Sequence, residues 1–214
     1  MHPSCHLLTR FAPLAPVTGC PRIQAHQATD LFALWLAWES ECGVVRDVPY
    51  WALVWPAAQV LAAYISAHPS LVLGKGVLDC GCGGGVTAIA AGLNGARCVT
   101  GCDLDATAVV IAQGNAAANQ IAIDFLCQDV TECIATRRFD LILVADLFYQ
   151  KEFSRLLYEA LQEAHRQGSE ILIADSGRPF LPKEGLIEIH AQSADTTFDV
   201  EGCWSRTVRL YRLR

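Results

Sequence analysis

From residue 76 onward, short apolar runs recur at regular intervals between longer amphipathic stretches. Segments 76–80 (GVLDC), 97–102, 123–128, 139–145 (FDLILVA) and 170–175 (EILIAD) read as strands. Their apolar runs are continuous rather than alternating, which is the pattern of strands covered on both faces. Segments 86–94, 105–119 and 152–167 read as the helices between them. This regular exchange predicts an α/β fold with a parallel, doubly wound sheet. The end of the chain departs from it. Segments 186–198 and 205–213 read as two strands with no helix between them, so an antiparallel pair is expected at one edge. The expected sheet is therefore mixed and seven-stranded.

Ahead of residue 76 the pattern is less regular. Residues 1–25 are rich in proline and small residues and read as an arm of loops. Segment 30–41 (DLFALWLAWESE) reads as a helix starting near His26, broken at Val48-Pro49-Tyr50 because proline disfavours helix in the residue before it. A second helix is expected over 56–67, with Pro56 in its first turn. The expected organisation is one compact domain. Residues 1–70 form an arm and helices that cover a ligand site, and residues 71–214 form the core.

Composition sharpens this picture. Of the 214 residues, 52% are hydrophobic, which suits a sheet buried on both faces. With 16 Lys and Arg against 22 Asp and Glu, the net charge is 16 − 22 = −6, and no basic run occurs. Such a chain is a poor partner for a nucleic-acid backbone and a better one for a basic surface. The ten cysteines do not read as a disulfide framework. Cys80, Cys98, Cys102 and Cys127 sit in apolar stretches, where the thiol acts as a small hydrophobe. No metal site is expected, because Cys80 and Cys82 belong to a glycine turn and Cys98 and Cys102 to one strand. The N-terminal MHPSCHLLTR lacks the apolar segment of a secretory signal, and no apolar run is long enough to span a bilayer. A cytoplasmic protein that meets no membrane is the expectation.

The candidate chemistry begins at Val77-Leu78-Asp79-Cys80-Gly81-Cys82-Gly83-Gly84-Gly85. Here a strand enters a glycine turn that opens a helix. Gly81, Gly83 and Gly85 permit positive φ and close approach of a ligand, and the helix start offers free N–H groups. Asp103 ends the next strand about 20 residues on, where doubly wound folds place an acid on ribose hydroxyls. Asp105 suits a helix cap better. A dinucleotide loop would carry a sixth-position glycine, but position 86 is Val. Asp79 lies two residues before the first glycine, awkward beside pyrophosphate and useful beside a cationic aminoacyl group. The loop therefore favours S-adenosylmethionine over NAD.

Three further segments extend the site. Gln128-Asp129-Val130 follows the third strand, where Asp129 either accepts from an adenine amine or is a plain loop acid. Asp146-Leu147-Phe148-Tyr149 ends the fourth strand, beside the switch point where open α/β sheets bind ligands. Asp146 could orient an amine there and Tyr149 could pack against it, as methylation of an amine requires. Trp51 and Trp55 flank a loop–helix junction. Trp55 either faces the cationic cofactor or belongs to the core.

With these segments in view, the chain resembles the class I, seven-β-strand S-adenosylmethionine-dependent methyltransferases. More narrowly, it is similar to the electron-transfer-flavoprotein β-subunit lysine methyltransferases, whose bacterial members are often labelled nicotinamide N-methyltransferase-like. The resemblance runs through Ala28-Thr29-Asp30 to Trp35 and Glu39, Pro49-Tyr50-Trp51 to Trp55-Pro56 and Gln59, the glycine loop, Asp103-Leu104-Asp105, and Asn115 to Asn119. Asp146-Leu147-Phe148-Tyr149 is similar to the family's Asp-x-Phe-Tyr signature. Asp175-Ser176-Gly177-Arg178 with Leu181-Pro182 resembles its Asp-Pro-Gly-Arg turn, and Glu201 and Arg206-Thr207-Val208 fall in a similar run. The resemblance implies a monomeric, Rossmann-like seven-stranded fold with a C-terminal antiparallel pair. The residues expected to contact the cofactor are Asp79, Gly81, Gly83, Gly85, Asp103, Leu104, Asp129, Val130 and Trp55, and the resemblance implies Asp146 and Tyr149 at the lysine site. The implied substrate is a protein with an exposed lysine, the electron transfer flavoprotein β subunit being the candidate. A small-molecule amine N-methyltransferase and a non-catalytic nucleotide-binding module are the alternatives. Three departures stand out: Ser176 in place of the proline, Ala57-Ala58 in place of Gly-Gly before Gln59, and Gly-Cys-Gly-Gly-Gly without the commoner serine.

Overall fold

The computed structural model describes residues 2–214. Seven strands form one sheet: β3 (Gly76–Cys80), β4 (Cys98–Asp103), β5 (Asp124–Cys127), β6 (Leu141–Ala145), β7 (Glu170–Asp175), β8 (Leu186–Asp195) and β9 (Ser205–Leu213). Their order is β5-β4-β3-β6-β7-β9-β8. The first five run parallel, and the strand direction of winding reverses between β3 and β6. β9 inserts antiparallel between β7 and β8. The expected mixed sheet with a C-terminal antiparallel pair is what the chain forms.

β6 shows why the strands read as unbroken apolar runs. Leu141 and Leu143 face one side with Leu61, Ile65, Val77 and Ile89. Ile142 and Val144 face the other with Leu78, Phe148, Leu157 and Leu161. Alternate residues enter different cores, so every position must be apolar. The first core is roofed by α3 (Pro56–Ala67), α4 (Val86–Leu93) and part of α5 (Ala106–Ala118). The second lies under α6 (Val130–Thr136) and α7 (Lys151–Arg166). α6 was not among the expected elements; its 7 residues are too few to show a helical period. A third cluster joins α2 (Leu31–Cys42) to the start of α5 through Leu34, Trp38, Trp51 and Ile111.

The first 25 residues correct the expectation of a loop arm. They form α1 (Cys5–Phe11) and an antiparallel ribbon of β1 (Leu14–Val17) and β2 (Cys20–His26). Pro16 and Pro21 are tolerated because a two-stranded ribbon leaves half its N–H positions unpaired by a neighbour. Val17, Cys20, Ile23 and Ala25 are buried against the first core. The end of the strand pair also differs: β8 stops at Asp195, and Phe198 opens a short helix, α8 (Phe198–Glu201).

Two asparagines one helical turn apart fasten the ribbon. Asn119 on the C-terminal side of α5 accepts from the Gln24 N–H (2.9 Å) and donates to the Gln24 carbonyl (2.6 Å). Asn115, fully buried, accepts from the His26 N–H (2.9 Å) and donates to the Gly84 carbonyl (2.8 Å). The side-chain amides replace the missing third strand along β2, and Asn115 ties that edge to the glycine loop. Replacing Asn115 by alanine orphans a half-buried N–H and a half-buried carbonyl together. Asn115→Ala is expected to lower the unfolding free energy by about 2–4 kcal/mol in urea titration. A loss below about 0.5 kcal/mol would show that the ribbon holds without it.

Candidate active site

The site is built at the carboxyl ends of β3, β4 and β6. The loop after β3 turns through three left-handed glycines, Gly81 (φ 58°), Gly83 (φ 50°) and Gly85 (φ 79°). At Gly83 a Cβ would meet nothing within 4 Å, so the backbone conformation, not crowding, calls for glycine, and open space adjoins the main chain. Gly85 is different. It caps α4, and a Cβ there would press on Ala112 and the Phe125 ring at 3.1 Å.

Two carboxylates shape this loop. Asp79, buried in β3, accepts from the Ala88 N–H in the first turn of α4 at 2.9 Å. Burial pushes its carboxyl up to about 7, with a smaller contribution from nearby Asp103. Asp103 ends β4 and accepts from the Gly83 N–H (2.8 Å) and the Asp105 N–H (3.0 Å); burial raises its carboxyl too. Asp105 caps α5 through the Thr107 N–H at 2.7 Å, as its position suggested.

The end of β6 carries the most constrained residue. Asp146 is 6% exposed and left-handed at φ 57°, a conformation that Asp adopts more readily than most side chains. Its Oδ1 accepts from Ser176 N (2.9 Å), Ser176 Oγ (2.7 Å) and Arg178 Nε (3.0 Å). Its Oδ2 accepts from the Ala57 N–H in the first turn of α3 at 3.1 Å, where the helix dipole also favours a negative charge. Arg178 continues outward. It pairs with Glu201 at 2.6 Å and lies 5.2 Å from the centre of the Trp55 ring. Neither partnership was anticipated from the sequence. Arg178 was visible only as part of a turn motif, and Glu201 lies 23 residues further on.

These elements enclose a cavity of about 670 Å³. Asp79, Gly81, Gly83, Asp103, Leu104, Val130, Trp55, Asp146 and Tyr149 all line it. Gly85 and Asp129 do not. Gly85 is spent on the α4 cap, and the Asp129 carboxylate turns to α6, accepting from the N–H (2.7 Å) and hydroxyl (2.6 Å) of Thr131. Its neighbours Gln128 and Val130 line the cavity instead. Asp47, Asp105 and Asp199 add to the lining, which has six carboxylates against one cation, Arg178. That cation is already matched by Asp146 and Glu201. Phe32, Tyr50, Trp51, Trp55, Tyr149 and Phe153 supply aromatic surface. The Tyr149 phenol is half exposed and raised above its ordinary value by burial, then by Asp103 and Tyr50. The space therefore attracts positively charged groups and repels anions. Among the described residues, no group of three or more His, Cys, Asp or Glu is placed to hold a metal.

Asp79 gives the free protein a measurable pH dependence. Its folded value lies above the ordinary 3.8, so its contribution is fully present below about pH 4 and is lost as pH rises through about 7. Asp79→Asn keeps an acceptor for Ala88 and removes the ionisation. The variant should gain stability relative to wild type on going from about pH 5 to about pH 8, read from paired thermal melts. A difference that stays constant over that range would mean that the carboxyl titrates normally.

The chain matches the family model described as ribosomal protein L11 methyltransferase (PrmA) over residues 65–176, about half its length. It is 40% identical over 131 residues to the electron transfer flavoprotein beta subunit lysine methyltransferase of Danio rerio, covering 61% of this chain and 51% of that one. It is 30% identical over 176 residues to the Caenorhabditis elegans homolog of that enzyme, covering 74% of this chain and 70% of the relative. The chain thus spans about half the length of the zebrafish relative. Among solved structures, magnesium protoporphyrin IX methyltransferase from Synechocystis, with bound SAM, superimposes with a TM-score of 0.52 at 20% identity, over 73% of this chain and 78% of that one. That likeness concerns the fold. The glycine loop, the acids at the ends of β3 and β4 and the matched segment together place the chain in the PrmA family of class I S-adenosylmethionine-dependent methyltransferases.

Proposed function

We propose that this protein transfers a methyl group from S-adenosylmethionine to the side-chain amine of a lysine in a protein. The observation that carries the reading is the lining of the cavity. Six carboxylates and six aromatic rings surround a space that opens beside a left-handed glycine loop. Both reactants of a lysine methylation are cationic before reaction, and this lining suits both. The relatives named as electron transfer flavoprotein beta subunit lysine methyltransferases support a lysine acceptor, and that flavoprotein subunit is the candidate substrate.

The residues present fit the cofactor. Gly83 leaves room beside its backbone, and the half-neutral carboxyl of Asp79 regains its charge when a cation approaches. Asp79 would hold the aminoacyl end and Asp103 the ribose, with Leu104, Gln128 and Val130 bordering the base. When bound, S-adenosylmethionine supplies a sulfonium methyl that an amine lone pair takes as the carbon–sulfur bond breaks onto sulfur. A lysine amine with its ordinary value near 10.4 is neutral in only about one molecule in 2,500 at pH 7. Removal from water and the positive charge of the bound sulfonium both lower that value. Asp146 cannot act as a free carboxylate, since Oδ1 already takes three donors and Oδ2 one. One acceptor position remains on Oδ2, enough to orient an amine without removing its proton. Tyr149 borders the same space with its hydroxyl accessible and fixes the approach.

Tritiated methyl transfer from S-adenosylmethionine into a bacterial lysate tests this. Label is expected in a discrete protein band and, after acid hydrolysis, in methyllysine. Asp146→Ala should reduce transfer about 10²-fold and Tyr149→Phe about tenfold, as loss of positioning does. Label confined to small molecules would refute the protein acceptor, and label in a residue other than lysine would refute the amine.

A further inference from the structure

Beyond Asp146 the ion pairs continue into a part of the chain with no assigned role. The connection between β8 and β9 carries α8, and Asp199 and Val200 of that helix line the cavity on the side of Trp55 and Arg178. The same connection presents Phe198 and Trp204 as a tilted pair, ring centres 5.3 Å apart, on the outer surface. One buried residue fastens it. Glu201, its side chain 5% exposed, pairs with Arg178 through Nη2 (2.6 Å) and Nη1 (3.3 Å). It also pairs with Arg206 Nε at 2.5 Å, and Arg206 Nη2 donates to the Glu201 carbonyl at 3.0 Å. A charge buried this deeply persists only when fully matched, so these pairs fix the geometry of the connection.

From this geometry we infer that Glu201 is a positioning residue for the acceptor: it locks the β8–β9 connection onto Arg178, and through Arg178 it sets Asp146 and the Trp55 face. The inference rests on the proposed lysine methylation for its direction, but its mechanical part does not. The side chain of Glu201 pairs with Arg178, which lines the cavity, and with Arg206, and with none of the groups assigned to the cofactor. The groups assigned to the cofactor, Asp79, Gly83 and Asp103, are held separately by Ala88 and Asp105 and by each other. The two halves of the cavity are therefore fastened independently. Losing the Glu201 charge should loosen the acceptor wall and leave the cofactor side intact. The Asp146–Arg178 pair survives such a change, but Arg178 loses one of the two anions that keep it over the Trp55 ring.

Glu201→Gln and Glu201→Ala test this through three readouts, with Trp55→Phe versions made only as blanks for the fluorescence. The first is S-adenosylhomocysteine binding by titration calorimetry, which should stay within about twofold of wild type. The second is the Trp55 fluorescence, taken as the difference between each protein and its Trp55→Phe partner, which should shift to longer wavelength as the ring loses its cation and gains water. The third is tritium transfer into lysate at limiting and at high lysate protein. Transfer should fall on the order of tenfold at the limiting concentration, inside the ~10²-fold that ångström-scale misplacement costs. It should recover toward wild type at the high concentration, because capture is what is lost. The glutamine variant, which keeps the shape, decides the matter if the alanine variant does not fold. An unchanged Trp55 difference spectrum would overturn the coupling to Arg178. A parallel fall in S-adenosylhomocysteine affinity would overturn the independence of the two halves, and a loss that high lysate protein does not recover would overturn the role in capture. If wild type labels no protein, the lysine reading fails, while calorimetry and the Trp55 spectrum still decide whether Glu201 holds Arg178.

Discussion

A carboxylate removed from water must be surrounded by donors, and the acceptor side of this molecule is organised around one such group. Asp146 stands in a left-handed turn at the end of a central strand, with four donors from two separate segments. Those segments are the first turn of α3 and the turn after β7, which bears both Ser176 and Arg178. Each is placed by its own packing, and each is locked in register by the shared anion. The strained backbone persists because the surroundings over-determine it. Ser176 matters here. It donates both its N–H and its hydroxyl to Oδ1, and a proline at that position could donate neither. In this chain the anion is thus held more completely than a proline would allow, which fixes Asp146 at the expense of its freedom to serve as a base.

The other side of the cavity follows a different logic. Asp79 is equally buried but accepts from the Ala88 N–H without a cation beside it, and burial leaves its carboxyl close to half-neutral at neutral pH. A matched anion stabilises a fold in the absence of ligand, whereas an unmatched one waits for a cation. The two acids thus divide the work: Asp146 serves architecture first, and Asp79 serves binding first. Asp103 lies between these extremes, with two backbone N–H groups as partners and a raised carboxyl.

Much of this was legible in the sequence because burial on two faces forces long apolar strands, and these punctuate the chain unmistakably. The positions of Asp79, Asp103, Asp146 and Tyr149 followed from where such strands end. What was not legible depends on partners distant in sequence. The N-terminal ribbon reads as loops because its order comes from Asn115 and Asn119, some 90 residues away. Asp129 shows a different limit. A residue before a short helix can cap it or face a ligand, and both roles favour the same side chain; only the fold shows its oxygen turned to Thr131. The Asp103 and Asp105 pair was separable because two acids competed for one cap, and the one nearer the helix took it.

The antiparallel strand explains how a residue so near the C-terminus reaches the site at all. A doubly wound parallel sheet gathers its loops at the carboxyl ends of the strands, and a chain that leaves there ordinarily returns through a helix on a face. β8 instead ends at the same side as β7, and β9 descends directly between them, with Asp175 opposite Arg209. The connection between β8 and β9 must then sit above the carboxyl end of β7, beside the turn that bears Ser176 and Arg178. No helical crossover intervenes, so the connection is short and its direction is set by the two strands below it. That constraint brings Glu201 within reach of Arg178, and it makes the last strand pair part of the cavity wall as well as the closing edge of the sheet.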